Sequence, residues 1–119
     1  MYFERVGQSV FGAFFKNIKG IKTLNIREGV KQNYAYYPIL VNQDEYGINR
    51  DVLIKKLSEN GISARKYFYP LVSENKEFGK DLTLNTPNAF YYSRNVLCLP
   101  MYAELALSDV DKICDIIKK

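Results

Sequence analysis

These 119 residues contain no histidine and no tryptophan, and only two cysteines and four prolines. Without histidine the chain lacks the commonest metal ligand and the side chain that titrates nearest neutral pH, so neither a metal site nor a self-contained hydrolytic triad is expected. Cys98 and Cys114 stand in the apolar runs VLCLP and DKICDII, with no CxxC pair. Both read as small buried hydrophobes in a reducing, cytoplasmic compartment. No apolar run approaches the roughly 20 residues that span a bilayer. Glu4, and the lack of a small-residue cleavage site after FGAFF, argue against a secretory leader. The net charge is +4, but the 17 Lys and Arg residues are scattered from Arg5 to Lys119. That is a solvated surface rather than a nucleic-acid footprint.

What the sequence does have is aromatic side chains, ten Tyr and seven Phe, in a length that builds one modest core. A single domain over 1–119 is expected. In ERVGQSVFGAFFKNIKG, Val6, Val10, Phe11, Phe14, Phe15 and Ile18 recur at helical spacing and Gly20 follows as a stop, which predicts an amphipathic first helix over residues 1–20. Gly7 and Gly12 weaken it, and its aromatic face predicts self-association, so a homo-oligomer is expected. IKTLNI alternates like a short strand. YAYYPILV predicts a strand with Ala35, Tyr37, Ile39 and Val41 on one face and Tyr34, Tyr36, Pro38 and Leu40 on the other. Pro38 cannot donate to a ladder and points to an edge or a bulge.

Asn49 is placed to cap a helix over RDVLIKKLSEN that stops at Gly61. ISARKYFYPL then reads as a strand whose Arg65, Tyr67 and Tyr69 share one face, with Ile62, Ala64 and Phe68 on the other, toward the helices. Residues 72–85 read as a charged loop. Thr86 and Pro87 open a short helix over NAFYYSRN, VLCLP is a buried strand, and Ser108 with Asp111 forms a capping box ahead of a last amphipathic helix. Helices separated by single strands give an α/β (α+β) two-layer sandwich, a small mixed or antiparallel sheet covered by helices. The residues themselves place no nucleophile beside a base and no glycine-rich phosphate loop.

The ordered blocks NYAYYPILV, LSENGISARKYFYPL and NVLCLPMYAELALSDVDKICDIIKK resemble the C-terminal segment of the DegT/DnrJ/EryC1/StrS aminotransferases. These are pyridoxal-phosphate enzymes that aminate keto groups on nucleotide-linked sugars. The resemblance implies the small domain of a fold type I aminotransferase, with residues 1–20 as the interdomain helix. YFYPL is most similar to the branch acting on dTDP-4-keto-6-deoxyhexoses, in cell-surface polysaccharide or antibiotic sugar biosynthesis. It implies Asn33, Tyr34, Arg65, Tyr67 and Tyr69 as sugar-nucleotide contacts and glutamate as amino donor. The cofactor's lysine, ring-nitrogen partner and phosphate cradle belong in the family to a large domain that these blocks do not include, so this chain alone is expected neither to bind pyridoxal 5'-phosphate nor to transaminate. Many relatives carry histidine where Tyr67 stands, so no imidazole role transfers. The other reading is a free-standing interaction module or non-catalytic remnant. In its RNA-binding form, ARKYFYPL lacks the glycine and spacing of the RNA-recognition octamer.

Overall fold

The computed structural model describes residues 11–23, 27–30, 36–75, 77, 86–101 and 105–118. A helical segment, α1, covers residues 11–15 and leads through a turn to β1, Ile21–Thr23. There follow β2 (Tyr37–Val41), α2 (Gln43–Tyr46), α3 (Arg50–Glu59), a 3-10 turn (Val72–Glu74), α4 (Pro87–Asn95), β3 (Val96–Leu99) and α5 (Leu107–Lys118). The sheet is three-stranded, antiparallel throughout, in the order β1-β2-β3.

Period-2 alternation in β2 divides the sheet into two faces. Tyr37, Ile39 and Val41 are buried, and their partners Leu99, Leu97 and Ile21 share that face by register. Against it pack Phe11 and Phe15 of α1, Leu53 and Leu57 of α3, and Val110, Ile113, Cys114 and Ile117 of α5. The α5 set recurs at i, i+3, i+4 and i+7, the stripe a helix presents to a core. Asn49 caps α3 as the sequence requires, its Oδ1 accepting from the Val52 N–H at 2.9 Å. Val52 itself faces solvent, 46% exposed.

Gly20 holds φ +87°, and a Cβ there would lie 2.4 Å from the Tyr46 nitrogen. Only glycine admits this approach of two backbones, which brings the Gly20 carbonyl to the Asn42 N–H at 2.8 Å. The Tyr46 hydroxyl in turn donates to the Ile117 carbonyl, tying α2 to the end of α5.

Four sequence expectations change. Phe11 and Phe15 are 0% and 3% exposed and lie at a tilt against Tyr37, ring centroids 5.0 and 6.1 Å away, so these two rings of the first helix belong to the core rather than to an association surface, while Phe14 is partly buried beside them. β2 is the central strand, not an edge. Pro38 is accommodated because Cys98, opposite it, turns both its N–H and C=O outward to Arg65, at 2.8 and 3.1 Å. The Pro38–Cys98 pair is therefore of the non-hydrogen-bonded kind and asks no N–H of Pro38 toward β3. On its other side, Pro38 lies one residue past Ile39, where the described β1 ladder ends at Thr23. Residues 62–71 form no regular strand: Arg65 makes a single bridge to Cys98, and the chain then turns at Tyr67 and Phe68. α5 begins at Leu107, which puts Ser108 inside its first turn rather than at the cap.

Candidate functional site: the outer sheet face and the 67–71 turn

The second face of the sheet carries Lys22, Pro38, Leu40 and Val96. α4 borders it on one side and the 67–71 turn on the other, enclosing a groove of about 460 Å³ lined by Pro38, Leu40, Tyr67, Phe68, Leu71 and Tyr92. Lys22 is the one charged residue among the described residues of its wall. Tyr67 stands edge-on to Tyr36 at 5.4 Å and beside Phe68 at 5.2 Å. Tyr36, Tyr67 and Phe68 are 54%, 38% and 70% exposed. An apolar trough rimmed by exposed phenol rings suits a flat or amphipathic ligand.

The turn is held from behind. Arg50, the first residue of α3, is 2% exposed, and its Nη1 donates to the carbonyls of Ser93 and Val96 at 2.6 and 3.0 Å. These carbonyls lie at the C-terminal end of α4, where the helix leaves acceptors unmatched and favours a cation. Arg50 Nε and Lys66 Nζ both donate to Asp51 Oδ1 at 3.0 Å. The hydrogen bond from Lys66, with the Arg50 charge behind it, holds the Asp51 carboxyl below its usual range. Tyr69 lies over this network, its ring centroid 5.3 Å from Arg50 Cζ, 5.3 Å from Lys66 Nζ and 4.8 Å from Arg94 Cζ. Arg94 pairs with Glu74, whose Oε2 accepts from the Leu71 N–H at 2.8 Å.

The structure thus separates the residues that strand alternation had put on one face. Tyr67 lines the groove. Tyr69 is engaged by intramolecular cations, though 43% exposed. Arg65 lines a different cleft, of about 410 Å³, with Ser63, Pro100, Leu105, Asp109 and Lys112. Phe68, expected to face the helices, is at the groove instead. Asn33 and Tyr34 lie outside the described residues. Sequence reading missed Arg50, whose only signal was a cation directly after a helix cap. The two thiols are buried as expected. Burial pushes the Cys98 thiol up, against a backbone hydrogen bond at Tyr67 that lowers it. Among the described residues no helix is long and apolar enough to cross a membrane, and no cluster of three or more acidic or thiol side chains could hold a metal.

The profile of the DegT/DnrJ/EryC1/StrS aminotransferase family matches residues 8–118. The dTDP-4-amino-4,6-dideoxy-D-glucose transaminase of Escherichia coli is 33% identical over 113 residues, 92% of this chain and 30% of the relative. That of Shigella dysenteriae is 36% identical over 106 residues, 87% of this chain and 28% of the relative. Among solved structures, DesI, crystallised in the presence of its TDP-sugar product, superposes with a TM-score of 0.88 at 19% identity, covering 98% of this chain and 30% of DesI. At that identity the likeness is one of fold. The chain spans about 30% of the length of the curated relatives it matches.

Proposed function

The chain belongs to the DegT/DnrJ/EryC1/StrS aminotransferase family, and from that premise we propose that it supplies the smaller, substrate-side part of an enzyme that transfers an amino group from glutamate to a nucleotide-linked keto-deoxysugar. The observation that carries the reading is the family match across nearly the whole chain, joined to an open aromatic groove on the sheet face away from the core. In this reading Tyr67 and Phe68 wall the sugar-nucleotide site, with phenol and ring faces offered to a sugar or base. Arg65, in its own cleft with Ser63 and Lys112, offers a fork to a diphosphate. Asn33 and Tyr34 complete the proposed contact set, and Tyr69 supports it from behind. The product serves cell-surface polysaccharide or antibiotic sugar assembly, and the working enzyme is a cytoplasmic homo-oligomer.

Pyridoxal phosphate, the family's cofactor, supplies the electron sink for amino transfer when bound. It needs a lysine free to hold it, a carboxylate for its ring nitrogen and a phosphate cradle. The described residues do not fit it by themselves. Lys66 is ion-paired to Asp51, and Lys22 and Lys112, the lysines on the two cleft walls, are solvent-exposed side chains. No step through the cofactor is therefore assigned to residues of this chain. Its part in the reaction is to bind and orient the sugar nucleotide and to keep water from one side of the site.

The test is a hybrid enzyme in which this chain replaces the matching 30% of the Escherichia coli relative. The hybrid is expected to bind pyridoxal phosphate and to transaminate a dTDP-4-keto-6-deoxyhexose with glutamate. A hybrid that folds and holds cofactor but aminates no sugar nucleotide would refute the reading.

A further inference from the structure

The residues behind the groove do something that neither family membership nor the groove itself assigns. Arg50 is fixed on three sides: by the Ser93 and Val96 carbonyls through Nη1 and by Asp51 through Nε. A buried guanidinium held by carbonyls of the helix end and one carboxylate has little freedom to move, because each donor that lost its partner would stay desolvated. Asp51 passes that fixity on to Lys66 through the oxygen the two cations share. Arg50 and Lys66 both meet the ring of Tyr69, and Arg94, paired to Glu74, closes over it. Glu74 then takes the Leu71 N–H. Tyr69 and Leu71 are thereby pinned at two points, directly after the two residues, Tyr67 and Phe68, that stand over the groove.

We infer that Arg50 is a positioning residue: through Tyr69 it sets where the Tyr67 and Phe68 rings stand on the groove wall. The link from these rings to substrate rests on the function proposed above, whereas the clamp rests on geometry alone. The clamp needs the flat ring of Tyr69, not its hydroxyl, and the fork of Arg50, not merely its charge. A lysine at 50 reaches one carbonyl but cannot also hold Asp51 and face the ring.

Two measurements separate the inference from the reading beneath it. In the isotopically labelled chain, Arg50→Lys is expected to abolish the NMR contact between the Tyr36 and Tyr67 rings while contacts within the Ile39, Leu97 and Val110 core persist. Tyr69→Leu is expected to do the same with Arg50 still on its carbonyls, and it carries the test should the Arg50 variant fail to fold. Tyr69→Phe is expected to keep the contact. In the hybrid enzyme, Tyr69→Leu is expected to raise KM for the sugar nucleotide about tenfold, equivalent to about 1.4 kcal/mol, with kcat and the KM for glutamate nearly unchanged. An intact Tyr36–Tyr67 contact in Tyr69→Leu overturns the inference whatever the kinetics. A lost contact with unchanged KM keeps the clamp and overturns the substrate role of the groove.

Discussion

Arg50 Nη1 donates to the Ser93 carbonyl at 2.6 Å, so the start of α3 is bonded to the end of α4 across 43 residues of chain by one buried cation. Charged hydrogen bonds of this kind are expensive to break when buried, because the Ser93 carbonyl left behind would stay desolvated. Arg50→Leu is expected to lower stability by about 2–4 kcal/mol, measured as a shift in the urea midpoint. Arg65→Leu, at an exposed position, is expected to stay within about 0.5 kcal/mol of the parent.

Gly20 and Gly29 both hold positive φ, +87° and +80°, but they differ in surroundings. A Cβ at Gly29 meets nothing within 4 Å, whereas at Gly20 it collides with the Tyr46 backbone. Gly29→Ala is expected to cost about 1 kcal/mol, the left-handed backbone penalty alone. Gly20→Ala adds a clash with backbone and is expected to cost roughly 2–4 kcal/mol. Equal thermal shifts for the two variants would contradict the Gly20–Tyr46 contact.

The core titrates at its alkaline end. Burial, with the charges of Asp111 and Asp115 behind it, pushes the Cys114 thiol up to about 11, and burial followed by Cys114 pushes the Tyr37 phenol to about 12. A group whose folded pKa lies above its unfolded value contributes stability that is complete below the unfolded value and is lost as pH rises through the folded one. Cys114 is then expected to remove on the order of 3 kcal/mol of stability between about pH 9 and pH 11. Urea unfolding at stepped pH checks this: Cys114→Ala should flatten the decline between about pH 9 and pH 10 and leave the one from Tyr37, which sets in from about pH 10 upward.

Phe11 sits at 0% exposure against Tyr37. Phe11→Ala is expected to destabilise the monomer by about 3–5 kcal/mol. A variant that keeps its stability but changes oligomeric state in sedimentation would restore the aromatic helix as an association surface.

The core was legible in the sequence where a period was long enough to read. The i, i+3, i+4, i+7 stripe of α5, the Asn49 cap of α3 and the alternation of Tyr37, Ile39 and Val41 each state their own geometry. The site was less legible, because ISARKYFYPL has the composition of a strand while its backbone leaves the strand after one bridge at Arg65. Alternation then stops holding, and Tyr67, Phe68 and Tyr69 go where the clamp sends them. The clamp could not be read at all, since it joins Arg50, Lys66, Glu74 and Arg94 from four separate segments. Pro38 misled for a related reason: whether a central strand tolerates proline depends on which side its neighbour's hydrogen bonds face, and that is a property of Cys98 and Arg65.

In the function proposed above, this chain shapes the sugar-nucleotide side of an aminotransferase and leaves the cofactor to the rest of the enzyme. The most direct measurement is steady-state kinetics of the hybrid enzyme carrying Tyr67→Ala, with cofactor occupancy read from its absorbance. The expected result is a KM for the sugar nucleotide raised about tenfold or more, with full pyridoxal-phosphate occupancy and an unchanged KM for glutamate. Reduced cofactor occupancy with an unchanged sugar-nucleotide KM would contradict it.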